Sequence, residues 1–299
     1  MPRYHPSSVL GPDGSPSTWG EAVQLHWNIR DTLLYAVGIG SHNLRFVYEG
    51  HPDFTVFPTF PIRFGTLGAA SFGAALPHSL GPLTIDAERF LEMHRPLPTA
   101  GMAQICSRVV GIHPRPKGSS FVEYETLVSD SAGVPYCRMV TGQYRRGVNQ
   151  LGDIEPFEGC GTTYSTKLTF PSTPPDLTCE QWIPENQALI YRLSGDFNPL
   201  HIDMDAARIG GFDQPILHGL CTFGHCASML LGALCDGDPS RFKRIKVRFT
   251  SPVFMNSKLR VHGWHDGPGR VLFQAEVDGR LVVAHAYFEF EEAPRAAKL

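Results

Sequence analysis

Asp196, Asn198 and His201 fall within six residues of one another, in the run Tyr191-Arg192-Leu193-Ser194-Gly195-Asp196-Phe197-Asn198-Pro199-Leu200-His201. A carboxylate and an imidazole this close in sequence can serve together as general acid and base on a small molecule. The same residues also have structural uses. Ser194-Gly195-Asp196 is turn chemistry, and Pro199 suits the first position of a short helix. On that reading Asp196 or Asn198 is a helix cap and His201 a half-buried histidine.

The residues that follow favour chemistry. Pro215-Ile216-Leu217-His218-Gly219 places a proline loop and a glycine just ahead of a long apolar run. If that run is a helix, its first N–H groups are unpaired and carry the positive end of the helix dipole. Such a terminus can hold a thioester oxygen as negative charge develops on it, and a glycine lets the ligand approach the backbone closely. Hydration of a 2-enoyl thioester needs these parts. Water must lose a proton as it attacks the β-carbon, the α-carbon must gain one, and the enolate-like oxygen must be stabilised. No cofactor is expected, because no GxGxxG or P-loop pattern is present to hold one. No metal is expected either: Cys221 and Cys226 are five apart and there is no CxxC pair.

These groups need a scaffold, and the chain reads as two copies of one. Leu33-Leu34-Tyr35-Ala36-Val37-Gly38-Ile39-Gly40 resembles Leu189 to Asp196 at an offset of 156 residues. Small apolar stretches follow in each copy, Gly65 to Ala70 and Gly219 to Gly224. Strand-like runs then close each half: Ala103–Gly111, Ser120–Ser129 and Pro135–Arg145 in the first, and Phe242–Phe249, Lys258–His265, Arg270–Val277 and Arg280–Glu291 in the second. Asp278-Gly279 between two such runs is a hairpin signal. Cys221 to Leu234 is apolar on all sides, as a buried helix is, and Asp236-Gly237-Asp238-Pro239 stops it. One buried helix per half, wrapped by antiparallel strands, is an α+β arrangement. The expected units are residues 1–150 and 151–299, with a Gly-, Thr-, Ser- and Pro-rich linker around Asn149 to Pro175. At the repeat offset Gly40 stands for Asp196 and Arg45 for His201, so only the second copy carries the acid and the imidazole.

Bulk properties narrow the class. The 299 residues are 42 % hydrophobic and 18 % charged, enough for a packed core. A net charge of −3 argues against a nucleic-acid protein, whose footprint is a broad basic excess. Seven cysteines without framework spacing suggest a reducing compartment. No segment reaches the roughly 18 apolar residues of a membrane span, and the polar, turn-rich start does not resemble a signal peptide. The final Ala297-Lys298-Leu299 differs by one residue from the Ser-Lys-Leu peroxisomal address, so import by the peroxisomal receptor is expected, with a bacterial cytoplasm as the alternative.

The run Tyr191 to His201, continued through Gly211-Phe212-Asp213-Gln214-Pro215-Ile216-Leu217-His218-Gly219 and on to Arg248-Phe249, resembles the signature of the R-specific (type 2) enoyl-CoA hydratases of the MaoC-like group. Phe57-Pro58-Thr59-Phe60 and His94-Arg95-Pro96-Leu97-Pro98 extend the likeness into the first half, where it is similar to the hydratase unit of peroxisomal multifunctional β-oxidation proteins. The resemblance implies a double hot-dog fold and a hydro-lyase that interconverts trans-2-enoyl-CoA and (3R)-3-hydroxyacyl-CoA. It further implies that Asp196 and His201 hold water and exchange protons, that Asn198 orients them, and that the Gly219 N–H meets the thioester oxygen. It implies a homodimer, and a degenerate first half that widens the pocket for the acyl chain, with Phe57, Phe60 and Phe64 as candidate lining. Lys243, Arg244, Lys246 and Arg248 are candidate contacts to coenzyme A phosphates, although a solvated strand face has the same pattern. His225 is expected in the core. A hot-dog thioesterase and a non-catalytic acyl-CoA-binding module are the alternatives.

Overall fold

The computed structural model describes residues 9–11, 13–65, 83–116, 119–146, 160, 161 and 163–293. Strand β1 (Val23–Trp27) leads into helix α1 (Ile29–Gly38) and the short α2 (Leu44–Val47). A 3₁₀ turn at Phe60–Phe64 follows. Strands β2 (Thr84–Met93), β3 (Gly101–Arg115), β4 (Ser119–Ser129) and β5 (Pro135–Arg145) complete the first half. In the second half come β6 (Cys160–Gly161), β7 (Leu177–Ile183), α3 (Gln187–Tyr191), α4 (Met204–Ile209), α5 (Gly219–Cys235) and strands β8 (Phe242–Phe249), β9 (Ser257–His265), β10 (Arg270–Val277) and β11 (Arg280–Phe290).

Local chemistry explains where several elements begin and end. Asn28 and Asp31 form a reciprocal capping box that starts α1, with the Asn28 N–H donating to Asp31 Oδ2 at 2.9 Å. Helix α5 begins at Gly219 and stops where Asp236 and Gly237 turn left-handed, at φ 54° and 73°. The β10–β11 hairpin turns on Asp278 and Gly279, both at positive φ as a two-residue hairpin loop requires.

The strands form one antiparallel sheet in the order β1-β3-β4-β5-β2-β8-β11-β10-β9-β7, with β6 beside β3. Read outward from its centre, the order is the same in both directions: β2-β5-β4-β3-β1 on one side and β8-β11-β10-β9-β7 on the other. The two copies therefore share a topology and meet where β2 pairs with β8. Phe90 lies opposite Lys246 there, with Glu88 opposite Arg248 and Glu92 opposite Arg244. In the second half the sheet wraps α5, whose Phe223, Cys226, Leu230 and Leu231 are fully buried. Burying each such large apolar side chain stabilises the fold by roughly 1.5–3 kcal/mol. Of the first half's expected central stretch, Gly65 ends the 3₁₀ turn and residues 66–70 lie outside the described residues.

Strand β2 was not legible in the sequence, because Asp86, Glu88, Arg89 and Glu92 break any apolar alternation. The structure pairs those charges. Arg89 is almost fully buried and its guanidinium reaches both oxygens of Asp86 at 2.8 Å. Glu88 accepts from Arg248 Nε at 2.6 Å and sits 3.4 Å from Lys246 Nζ. The described part of the expected linker is tied to the sheet: the Tyr164 N–H donates to Glu123 at 2.8 Å, and the Trp264 indole N–H donates to the Thr173 carbonyl at 2.9 Å.

Breaking a buried ion pair from one side leaves an uncompensated charge, at a cost of roughly 3–5 kcal/mol. Glu88→Gln should therefore strand Lys246 and Arg248 at the seam and lower the unfolding free energy by an amount in that range, read as a lower urea midpoint. An unchanged midpoint would show that the seam does not depend on this carboxylate.

Candidate active site

The chain from α3 to α5 is built to present a few polar groups to one cavity. After α3, the 3₁₀ turn Arg192–Ser194 ends at Gly195, whose φ of +117° is open to glycine and strained for other residues. That turn delivers Asp196, half-buried at the cavity edge. Asn198 caps the next turn, Pro199–His201: its Oδ1 accepts the Leu200 N–H at 3.1 Å, and its own N–H donates to Asp196 Oδ1 at 3.2 Å. The bland reading of Asn198 as a cap is thus correct for its side-chain oxygen, and the capping turn also holds the Asp196 carboxylate.

His201 is 7 % exposed and donates from Nδ1 to the Ile216 carbonyl at 2.8 Å. A carbonyl only accepts, so this bond puts the neutral ring's proton on Nδ1 and leaves Nε2 with its lone pair. Burial lowers the His201 pKa below the usual imidazole value, opposed by the Ile216 carbonyl and by the charges of Asp196 and Asp86. His218 stacks on it with ring centroids 3.6 Å apart and donates from Nε2 to the Asp196 carbonyl at 3.2 Å. Burial, followed by repulsion from His201, pushes His218 down to about 2. Asp196, His201 and His218 each offer an electron-pair donor, all within 4.8 Å of one another. A cation there would take the carboxylate and one ring nitrogen from each histidine.

Asp196, Asn198, His201 and Gly219 all line one cavity of about 720 Å³. Gly219 is the first residue of α5, so its N–H has no acceptor within the helix. The opposite wall comes from the first half and includes Arg63, Thr84, Asp86, Arg89, Arg145 and Arg146. Phe212, Leu217, Phe249 and Val253 supply apolar surface.

The other sequence candidates lie elsewhere. Lys243, Arg244, Lys246 and Arg248 are not brought to this cavity. Lys243 pairs with Glu291 at 2.7 Å and Arg244 with Glu289 at 2.9 Å, while Lys246 and Arg248 belong to the Glu88 seam. Alternation along β8 put these four charges in a row, and acidic partners on β2, β11 and the following segment account for them. Phe57, Phe60 and Phe64 sit in the main core, packed on Tyr35, Phe46 and Trp27, and none lines the cavity. His225 is fully buried and bonds Gln181 Oε1 at 2.9 Å from Nδ1, in keeping with a core role. Sequence reasoning gave no role to His218 or Arg63. His218 adjoins Gly219 in the same motif, and Arg63 is a lone charge inside the apolar run Phe60–Phe64.

The first half's missing acid also has a physical account. Gly40 turns at φ +67°, and a Cβ there would run into the Gln181 amide and the His225 ring. Arg45, at the His201 position, instead faces Asp53 at 3.8 Å and Asp238 at 3.7 Å. The vacated position is filled by the second half.

Fold and site together define a double hot-dog protein in which Asp196 and His201 share a cavity with the first residue of the buried helix α5. The MFE-2 hydratase 2 N-terminal domain family matches residues 26–147 and the MaoC-like domain family matches residues 161–286. The chain is 34 % identical over 272 residues to a probable enoyl-CoA hydratase 2 of Dictyostelium discoideum, covering 88 % of this chain and 90 % of that protein. It is 36 % identical over 272 residues to the peroxisomal multifunctional enzyme type 2 of Mus musculus; this covers 88 % of this chain but only 36 % of that longer enzyme. A crystal structure of a MaoC-like dehydratase from Phytophthora capsici, 34 % identical, aligns over 91 % of this chain and 95 % of that one with a TM-score of 0.82. The chain belongs to the MaoC-like hydratase family.

Three buried rings make stability depend on pH. His201, His218 and His225 all have pKa values lowered chiefly by burial, the last to about 3. In the unfolded chain an imidazole binds its proton near pH 6.5. Below that pH the unfolded state holds more protons than the folded one, so stability falls with pH until the folded rings titrate. Each ring contributes at most about 1.4 kcal/mol per pH unit. Urea midpoints should accordingly drop between about pH 7 and about pH 5; a flat profile would mean that the rings titrate in the fold as they do in the unfolded chain.

Proposed function

We propose that this chain is a hydro-lyase that reversibly hydrates trans-2-enoyl-CoA to (3R)-3-hydroxyacyl-CoA in fatty-acid β-oxidation, with Asp196 and His201 as its acid–base pair. One observation carries the assignment of roles: the carboxylate and the imidazole lie together in one cavity with the unpaired N–H of Gly219 at the start of α5.

The steps follow from that placement. A water molecule held between Asp196 and His201 gives a proton to the pair as its oxygen bonds the β-carbon. The pair returns a proton to the α-carbon. Between these events the negative charge rests on the thioester oxygen, which Gly219 N–H and the positive end of α5 stabilise. Asn198 keeps Asp196 in place through its backbone N–H, and Ile216 fixes the His201 tautomer. The first half supplies the opposite wall and receives the acyl chain. No step calls on a metal or an organic cofactor. The proposed assembly is a homodimer. The proposed location is the peroxisome, which the name of the mouse relative supports. Among the described residues no helix is long and apolar enough to cross a membrane, and the Ala297-Lys298-Leu299 tail lies outside them.

Each general acid or base contributes roughly 10²–10⁴ in rate. Asp196→Ala and His201→Ala should each lower kcat on a medium-chain enoyl-CoA by about that factor while the folded circular dichroism spectrum is kept. Full activity in either variant would sink the roles assigned here.

Product analysis separates this reading from its neighbours. Wild-type protein should give the 3R alcohol on chiral chromatography. Release of free coenzyme A thiol instead would make it a thioesterase, and tight binding without turnover would make it a binding module.

A further inference from the structure

The cavity wall contributed by the first half contains a charge that the hydration chemistry does not use. Arg63 projects from the 3₁₀ turn Phe60–Phe64, whose other four residues, Phe60, Pro61, Ile62 and Phe64, are buried and apolar. Its guanidinium lies over the Phe60 and Phe64 rings at 5.2 and 5.5 Å from their centroids. Among the described residues it has no carboxylate partner, and its Nη1 is buried without an acceptor. Burial lowers its pKa, with Asp31 the leading opposing charge. Every other arginine of this wall that the structure describes has a partner: Arg89 holds Asp86, Arg145 donates to Tyr124 at 2.8 Å, and Arg146 donates to the Gly210 carbonyl.

Two more polar atoms are stranded beside it. Tyr191 Oη and Ser194 Oγ are both buried with no hydrogen-bond partner, and both residues line the same cavity. Arg63 Nη2 comes within 3.3 Å of the point where a Cβ on Gly195 would stand, which puts the fork directly against the Ser194–Gly195 turn. Buried polar groups are normally satisfied, and an unpaired buried cation is more costly than an unpaired hydroxyl. Arg63 Nη1, Tyr191 Oη and Ser194 Oγ are thus unpaired donors on residues of one cavity, and together they suit an anion with several lone pairs. A guanidinium fork suits a planar carboxylate, taking two parallel N–H···O bonds, and hydroxyl donors can fill its remaining positions.

Resting on the hydratase reading, we propose that Arg63, backed by Tyr191 and Ser194, is a specificity-determining group that receives a second carboxylate carried on the acyl chain of the substrate. The favoured substrates are then enoyl-CoA thioesters of dicarboxylic or otherwise carboxylated acids.

The test uses paired 2-enoyl-CoA substrates of equal chain length, with and without a terminal carboxylate. Wild-type kcat/KM should favour the carboxylated member by about tenfold or more at the chain length that fits. A charge-assisted hydrogen bond is worth enough for roughly a 10–100-fold effect, so Arg63→Ile should lower the ratio of the two kcat/KM values by that amount. Arg63→Lys, which keeps the charge but loses the fork, should fall between them. A wild-type preference for the uncharged member, or a ratio unchanged in Arg63→Ile, overturns the proposal. So does an equal loss on both members, which would assign Arg63 to the coenzyme A moiety. Calorimetric binding of the matching saturated thioesters reads the same preference without turnover. If wild type hydrates neither series, the hydratase reading fails, while the binding ratio still decides the role of Arg63.

Discussion

The structure depends on one strand pairing. Where β2 runs antiparallel to β8, two sheets become one and the walls of the cavity are brought face to face. Thr84, Ile85 and Asp86, at the start of β2, stand across from the loop that carries Asp196 and His201. The seam is held by backbone hydrogen bonds and by the buried Glu88 carboxylate between Lys246 and Arg248. Charged residues in the middle of a sheet are costly unless each finds its partner. Glu88 finds its basic partners only when the two halves are in register, so a charge that weakens β2 as a strand specifies how it must dock.

Two buried histidines stand together at one side of the cavity this creates. His201 and His218 stack as neutral rings, each spending one N–H on a backbone carbonyl. Those carbonyls fix the tautomers, and burial keeps both rings uncharged. A neutral imidazole with a free lone pair beside a carboxylate can take up a proton and release it without large reorganisation of solvent, and that reversible exchange is what a hydration needs.

Much of this was readable in one dimension. The Asp196-to-His201 spacing, the long helix, the strands β3 to β5 and β8 to β11 and the duplication were each carried by local signals: turn residues, apolar periodicity and a recurring segment. What escaped depended on partners distant in sequence. Strand β2 has too many charges to read as a strand, and only β5 and β8 reveal why it is one. The basic run on β8 looked like a phosphate contact because its acidic partners lie on other strands. Phe57 and Phe60 gave no sign of which side of the wall they face. Arg63 was visible as an isolated charge, yet its meaning required the unpaired Tyr191 and Ser194 hydroxyls more than a hundred residues away.

The filled position at Gly40 bears on the history of the duplication. Two copies of one unit ordinarily start equal, and a lost group can be regained while its place stays empty. Here Gln181 and His225 occupy the space that an acid at residue 40 would need, and a backbone turn unfavourable to any side chain seals the change. Regaining a second reaction centre would require change at Gly40 and Arg45 in the first copy and at Gln181 and His225 in the second. The asymmetry is thus a one-way step. It frees the first copy from chemistry and lets its wall drift toward new acyl groups while the turnover machinery stays untouched.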